Sequence, residues 1–449
     1  MENTRRKIVT RFAPSPTGTL HIGGYRTAIF AYLFARHHGG EFVLRIEDTD
    51  RERNKKEYEE NIIDGLEWLG LTYDRFYRQS ENLPRHTEVL KQLIASGHAY
   101  ISEEEAKDGS GVMKSLVRFK NPNKEITVHD LIKGNVVIDT TDLGDFVIAR
   151  AIDDPIFHFA VVVDDWDEGV THVIRGEEHL PNTPRQILMM EALGAPIPTY
   201  AHLPLVLGPD KLKLSKRRGA PAITVYRELG YLPEAILNTA VMIGWNPGTE
   251  QEIFTKEEMI AIFDLEKVQK SGGVFNQEKM DWINREHLKK ISDESFAENI
   301  HQYTQALTSL PQYSEEKIKK LIPLIRERTA YFSEVKIAIE NGEYDCFFDA
   351  PSKMNPEKIY FKGIIDPDLG SKLEGIKASL EAIADTDWTL DNIKTTIMNH
   401  VGDTQKGPYL HPLRMTLSGR DQSPDPFTIA WIIGKTETMN RIQNIITLL

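Results

Sequence analysis

Apolar positions change their spacing along this chain. From the amino terminus, short apolar runs alternate with helical patterns, whereas from about residue 222 onward the periodicity is mostly helical. "KIVTRFA" (7–13) predicts a strand, followed by a Pro/Ser/Thr/Gly loop (14–19). In "HIGGYRTAIFAYLFARHHGG", Ile29, Phe30, Leu33 and Phe34 recur at helical spacing, and Gly39 and Gly40 supply the stop. "EFVLRIEDTD" (41–50) predicts a second strand that runs into an acidic loop, and the helix expected over 57–70 again ends on a glycine, Gly70. Strand, loop, helix, strand is the opening of a parallel α/β sheet.

Residues 100–165 break that rhythm. "ISEEEAKDGSG" is polar, and both "VVIDTTDLGDFVIAR" and "FHFAVVV" look like strands, so this stretch is expected to be an insertion between halves of the sheet. The α/β pattern resumes at "THVIRGEEH" (171–179). Asn182 or Thr183 can cap a helix with Pro184 in its first turn and Gly194 after its end. A strand over "HLPLVLG" then leads into a basic loop. Further on, "SEEKIKKLIPLIRERTAYF" places Ile318, Leu321, Ile322 and Ile325 on one face, and "TLDNIKTTIMNHV" and "MNRIQNIITLL" behave alike. There is no internal repeat and no low-complexity tract.

With 449 residues, about three domains are expected. The 40% hydrophobic and 27% charged composition is that of a soluble globular protein. No apolar run approaches the ~18 residues that span a bilayer, and "MENTRRKIV" has no apolar segment of the signal-peptide kind. A single cysteine, Cys346, excludes an internal disulfide and a multi-cysteine zinc site and points to a reducing cytoplasm. The net charge of −13 argues against non-specific nucleic-acid binding. It leaves room for a local basic surface: "KLKLSKRR" (211–218) holds five basic residues in eight.

The chemistry is expected where the first loop meets its helix. "APSPTGTLHIGG" follows a strand at the carboxyl edge of a parallel sheet, where open α/β folds bind ligands. Gly23 and Gly24 let a ligand approach the backbone, the helix terminus offers free N–H groups to phosphate, and His21 can donate to a phosphoryl oxygen. It is neither a P-loop nor a GxGxxG fingerprint. In "KLSKR" (213–217), Lys213 and Lys216 flank Ser215, and two ammonium groups suit a polyphosphate leaving group.

HIGG and KLSKR together resemble the two signature motifs of class I aminoacyl-tRNA synthetases. "RFAPSPTGTLHIGGYRTA", "LRIEDTDRER", "VTHVIRGEEHL", "KLSKRRG" and "VFNQEKMDWIN" occur in the order found in bacterial glutamyl-tRNA synthetases, and the resemblance extends to "PYLHPLRMTLSGRDQSPDPFTIAWIIGK". It implies an α/β fold: a Rossmann-like class I catalytic domain (1–100 and 166–221) with an inserted acceptor-stem-binding module (101–165). A stem-contact region (222–305) and an all-helical anticodon-binding domain (306–449) follow. It implies activation of L-glutamate by ATP, accompanied by Mg²⁺, to glutamyl-adenylate, and transfer to the terminal adenosine of tRNA(Glu). The family's habit is a monomer, without membrane attachment.

Residue by residue, the resemblance gives Arg11 and Arg175 to a substrate carboxylate, Glu47 to the α-ammonium and Ser15 to a further substrate contact. His21, Lys213 and Lys216 would steady the triphosphate, and Ala13, Thr17, Gly23 and Glu178 would form part of the ATP pocket. No side chain need act as nucleophile, because the substrate carboxylate attacks the α-phosphate, so catalysis is positioning plus electrostatic stabilisation.

The chain departs from the family in two informative places. The insertion "YISEEEAKDGSGVMKSLVRFK" carries no cysteine where many relatives hold zinc, so no structural zinc and a trimmed module are expected. Phe157 stands where the family usually has a tyrosine whose hydroxyl contributes to glutamate binding. Helical periodicity near 315–330 and 389–449 argues against the glutaminyl enzyme, which ends in β-barrels, and the long stretch of chain beyond "VFNQEKMDWIN" (274–284) argues against a shortened paralogue that glutamylates a tRNA base and lacks the helical anticodon-binding region. Intact His21, Lys213, Lys216, Arg11 and Glu47 argue against a catalytically dead RNA binder. Arg328 aligns with a position where arginine is associated with rejecting tRNA(Gln); the alternative is a form that charges tRNA(Gln) as well.

Overall fold

A computed structural model of the chain describes residues 7–50, 52–105, 112–214, 221–351, 356–402 and 405–449. They form two compact units, Met1–His287 and Leu288–Leu449.

The first unit begins as the apolar pattern requires. Strand β1 (Val9–Phe12), helix α1 (Ile22–His37), β2 (Glu41–Ile46), α2 (Lys56–Trp68), β3 (Arg75–Arg78) and α3 (Leu83–Ala95) follow in order. The three strands are parallel, with Arg11 opposite Val43 and Arg45 opposite Tyr77. Helix α1 is buried almost all round, from Tyr25 to Ala35, so its apolar residues are not confined to one stripe. Its end at Gly39 needs a left-handed backbone, φ 62°.

Between α3 and the next parallel strand lie β4 (Ala99–Glu105), β5 (Met113–Phe119), β6 (Glu125–Asp130), β7 (Gly134–Asp139), β8 (Phe146–Ala151), β9 (Asp154–Pro155) and α4 (Phe157–Asp167). Strands β4, β5, β8 and β9 make a four-stranded antiparallel sheet of their own. The β6–β7 hairpin instead extends the main sheet.

"FHFAVVV" is helix, not the strand its β-branched residues suggest. Phe159 to Val163 are all buried, so the run has no polar face to reveal its period, and packing overrides the valine preference. The helix carries Asp164 and Asp165 into the interior and places Glu168 at its C-cap.

Strand β10 (His172–Gly176), α5 (Thr183–Leu193) and β11 (Thr199–Leu203) complete the parallel sheet on the other side of β1, giving the order β3-β2-β1-β10-β11-β6-β7. The chain therefore leaves β1 toward one edge and returns beside it toward the other. The β1/β10 boundary is a topological switch point, where a crevice opens beyond the carboxyl ends of the strands. "HLPLVLG" divides at Pro204: β12 (Val206–Leu207) leaves the main sheet to pair in parallel with β13 (Gly273–Val274). The approach is close enough that a Cβ at residue 273 would lie 2.8 Å from Ile243 Cγ2 and 3.1 Å from the Gly244 nitrogen. Helices α6 (Ile223–Leu229), α7 (Pro233–Met242), α8 (Lys256–Ile262) and α9 (Gln277–Leu288) occupy the rest, and α7 and α8 pack on α1.

In the second unit, helices α10 (Asp293–Thr304), α11 (Glu315–Arg328), α12 (Ser333–Glu340), α13 (Leu369–Glu381), α14 (Leu390–Val401), α15 (Gly407–Ser418), α16 (Pro426–Ile433) and α17 (Lys435–Leu448) are joined by short 3₁₀ turns. Helix α11 buries Leu321, Ile322 and Ile325, the stripe expected from their spacing, behind an N-cap in which Ser314 accepts from the Lys317 N–H. No described helix is long and apolar enough to cross a membrane.

Candidate active site

The loop after β1 is pinned across the exit of β2. The Glu47 N–H donates to Pro14 O at 3.0 Å and the Lys55 N–H to Pro16 O at 3.1 Å. The loop ends on His21, the extended N-cap of α1, whose Nδ1 accepts from the Gly23 N–H at 3.0 Å. With Nδ1 acting as acceptor, the neutral ring carries its proton on Nε2. Gly23 matters for the same reason, since a Cβ there would stand 2.8 Å from His21 Cε1.

A cavity of about 670 Å³ opens at the β1/β10 switch point. Arg11, Ala13, Ser15, His21, Gly23, Glu47, Arg175, Glu178 and Lys213 all line it. These residues come from distant parts of the sequence. Thr17 is exposed on the loop and is not part of the cavity wall. Lys216 lies outside the described residues. Lys213 Nζ donates to Glu178 Oε1 at 3.0 Å, and this ammonium and hydrogen bonds help hold the Glu178 carboxyl below its usual value despite burial. Arg328 is exposed at the last residue of α11, in the other unit. Its neighbour Arg326 is half-buried, pairs with Asp293 and lies over the Phe296 ring at 5.2 Å.

The floor of the cavity is unusually rich in buried charge. Arg175 donates to His202 Nε2 at 3.1 Å, Thr183 Oγ1 at 2.9 Å and Gln186 Oε1 at 2.8 Å. All three acceptors are neutral: His202 receives on Nε2, so its Nδ1–H goes to Asp130 Oδ2 at 2.6 Å. Burial lowers the His202 pKa and keeps it uncharged. Asp130 sits at the end of β6, so the hairpin that joins the sheet orients Arg175 through His202. Among the described residues no carboxylate comes within ion-pair distance of Arg175, and burial pushes its pKa down to about 10. A buried guanidinium so held lacks an anion.

Arg11 is already engaged on one side, Nε to Asp165 Oδ1 at 3.2 Å. Burial pushes the Glu47 carboxyl up to about 7, against the opposing pull of Arg45 and Arg11. Sequence inspection missed Arg45, Asp165, His202 and Asp130. A signal existed for the first two: a lone arginine inside the apolar "FVLRI", and an acidic pair ending "AVVVDD". Phe157 opens α4 and lines the cavity, its ring 5.9 Å from that of His179.

Comparison with known proteins agrees with this geometry. The family described as "tRNA synthetases class I (E and Q), catalytic domain" matches residues 7–109 and 101–282, and "Anticodon binding domain" matches residues 295–446. A protein named glutamate–tRNA ligase 1 from Acidithiobacillus ferrooxidans is 40% identical over 97% of this chain and 98% of its own length. The chain belongs to the glutamate–tRNA ligase family. Another member, from Aquifex aeolicus, is 51% identical over 64% of this chain and 67% of its own. A crystal structure of a glutamate tRNA ligase from Elizabethkingia meningosepticum in complex with its amino acid superposes with a TM-score of 0.83 at 33% identity, covering 99% of this chain and all of that one. The glutamate-tRNA synthetase of Elizabethkingia anophelis superposes at 0.81, with 33% identity and 98% of this chain covered.

Proposed function

We propose that this cavity binds glutamate and ATP and joins them as glutamyl-adenylate before passing glutamate to tRNA(Glu). One observation carries the assignment: Arg175, buried at the cavity wall, is held by neutral acceptors and has no carboxylate partner among the described residues. A substrate carboxylate supplies the missing charge, and a guanidinium can grip it with two hydrogen bonds. Arg11 supplies further positive charge, Ser15 a hydrogen bond, and Glu47, when ionised, the counter-charge for the α-ammonium. The α-carboxylate oxygen attacks the α-phosphorus, and the bond to the β-phosphate breaks to release pyrophosphate. His21, from its Nε2–H, and Lys213 and Lys216 stabilise the charge that builds there. Ala13, Gly23 and Glu178 surround the nucleotide, whereas Thr17, off the cavity wall, keeps no part in this reading. Mg²⁺ enters with ATP as part of that substrate. A hydroxyl of the tRNA's terminal adenosine then attacks the activated carbonyl carbon, and AMP leaves.

The same reading assigns residues 1–100 and 166–221 to catalysis, 101–165 to the acceptor stem, 222–305 to further stem contact and 306–449 to the anticodon, except that the β6–β7 hairpin and α4, with Asp130, Phe157 and Asp165, serve the catalytic sheet and its cavity. The cysteine-free insertion works without structural zinc, and the protein acts as a cytoplasmic monomer. Arg328, exposed at the end of α11, is the candidate reader that rejects tRNA(Gln).

The test is charging of purified tRNA(Glu) and tRNA(Gln) with labelled glutamate and ATP, beside a pyrophosphate-exchange control without tRNA. Charging of tRNA(Glu) alone is expected. Charging of both would keep the reaction and remove the role given to Arg328. No charging of either would overturn the proposal.

A further inference from the structure

Arg45 takes part in none of the motif assignments, yet it is the most connected charge beneath the cavity. It is fully buried, at 0% exposure, on β2, one strand in from the edge of the main sheet. Nη1 donates to Asp165 Oδ1 at 2.8 Å and to Glu168 Oε2 at 2.9 Å, and Nη2 to Glu47 Oε1 at 3.4 Å. Its Nε is buried with no partner among the described residues, so the guanidinium is placed by these carboxylates rather than by satisfying all its own donors. Asp165 Oδ1 also accepts from Arg11 Nε at 3.2 Å. The result is a continuous chain, Arg11–Asp165–Arg45–Glu47, running from β1 through α4 to β2.

We propose that Arg45 is a positioning residue for the amino-acid substrate: it fixes Glu47 directly and Arg11 through Asp165, so that the ammonium-binding and carboxylate-binding groups keep one spacing. The proposal rests on the reading of this cavity as the glutamate site. Arg11 on β1 and Glu47 just after β2 are tied through the backbone, by the pairing of the two strands and by the Glu47 N–H to Pro14 O, which fixes where their side chains start but not where their charged ends meet. A planar fork can hold three carboxylate oxygens at once, which a lysine ammonium on a flexible stem cannot reproduce. Arg45 also opposes the burial that raises Glu47. The charged groups acting on Glu47 are Arg45 on its own strand, Arg11 on β1, and Asp164 and Asp165 on α4. Arg175 on β10 senses it in turn. Removal of Arg45 leaves Asp164 and Asp165 facing Glu47 with Arg11 as the main remaining counter-charge.

The test uses the full-length enzyme with tRNA(Glu), measuring pyrophosphate exchange as a function of glutamate and of ATP, with thermal unfolding alongside. Arg45→Lys is expected to raise KM for glutamate about tenfold while KM for ATP stays within about twofold. Asp165→Asn, which keeps the shape and loses the charge that joins the two arginines, is expected to raise KM for glutamate several-fold in the same selective way. Arg45→Gln is expected to move the acid limb of kcat/KM for glutamate upward by about one pH unit. A merely structural role would lower Tm and active fraction without moving that limb or separating the two KM values. A folded Arg45→Lys or Asp165→Asn protein with the unmodified KM for glutamate, equal rises in both KM values, or an unmoved limb would overturn the proposal. Failure of the unmodified enzyme to activate glutamate would instead overturn the assignment of the cavity itself, and this inference with it.

Discussion

Arg175 in the α/β unit is 6% exposed and Arg441 in the helical unit is 2% exposed, but their surroundings differ. Arg441 donates to three backbone carbonyls, Cys346 at 2.7 Å, Leu417 at 2.5 Å and Asp349 at 3.1 Å, and to Glu437 Oε1 at 2.7 Å. It ties a 3₁₀ turn and the end of α15 to α17, and its own fold completes its charge. Arg175 is held as firmly, but by His202, Thr183 and Gln186, which fix its orientation without neutralising it. Burial of a charge is therefore no sign of function by itself. What marks Arg175 as the arginine we propose for the substrate is a guanidinium whose hydrogen bonds are arranged and whose countercharge is missing among the described residues.

The strongest way to break that contrast is to truncate both. Arg175→Met is expected to lower kcat/KM for glutamate about 10³-fold, since two charge-assisted hydrogen bonds are worth roughly 3–5 kcal/mol. Its Tm should hold or rise slightly, because an uncompensated buried charge has gone. Arg441→Met is expected to destabilise the protein by about 3 kcal/mol, a loss of roughly 10 °C in Tm, because carbonyls and Glu437 lose their donor. Its kcat/KM for glutamate, measured well below Tm, should match that of the unmodified enzyme. Equal losses of activity and stability in the two variants would dissolve the distinction.

The two arginines also differ in how readily the sequence betrays them. Arg175 follows an apolar strand and precedes "GEEH", so strand logic and family resemblance both pick it out, and likewise Arg11 and Glu47 near the ends of their strands. The parallel pairing of the first two strands was legible because strand, loop, a helix stopped by glycine and a second strand entering an acidic loop follow one another, whereas β3 was not foreseen. Arg45 was not, because its meaning lies in Asp165 and Glu168, which are brought to it by a helix more than a hundred residues away. That helix was itself misjudged: "FHFAVVV" has no polar face, and periodicity cannot separate a wholly buried helix from a strand. The β6–β7 hairpin could not be foreseen as part of the main sheet either. Its place depends on Asp130 meeting Tyr200 across a register that no local pattern records.

A second test sharpens the comparison through two glutamates, each hydrogen-bonded to one buried arginine. Burial pushes Glu47, beside Arg45, up to about 7, and does the same to Glu168. Burial also acts on Glu437, but hydrogen bonds from Arg441 and Gln312 outweigh it and leave that carboxyl below its usual value. The stability consequences have opposite signs. The unfolded chain releases the protons of Glu47 and Glu168 near 4.5, whereas the folded chain keeps them to about 7. Their contribution is fully present below the first value and is lost as pH rises through the second. The Glu437 contribution is present above its ordinary pKa and is lost as pH falls through its lowered folded value. Activity should follow Glu47: kcat/KM for glutamate is expected to rise about tenfold between pH 6 and pH 8 as the carboxylate becomes available to the ammonium. Glu47→Gln should abolish that rise and reduce the fall in unfolding free energy over the same range to the part due to Glu168. A rise that survives the substitution would assign the titration to another group.

The smallest effect concerns Phe157, where the resemblance to glutamyl-tRNA synthetases leads us to expect a tyrosine. Phe157 opens α4 at the cavity wall, its ring 5.9 Å from His179, and an apolar ring can offer dispersion contact but no hydrogen bond. The resemblance to glutamyl-tRNA synthetases implies that a tyrosine hydroxyl contributes to glutamate binding at this position. Phe157→Tyr restores the hydroxyl on an otherwise unchanged ring, so packing on α4 should be kept. A neutral hydrogen bond is worth about 1 kcal/mol, which predicts a KM for glutamate roughly threefold to fivefold lower, with kcat and KM for ATP unchanged. An unchanged KM would mean that the wall formed by Arg11, Arg175 and Glu47 already fixes glutamate without a contact at this position. A higher KM would mean that the apolar ring is the better fit, so that the difference between this chain and its relatives lies in the shape of the pocket and not in a missing donor.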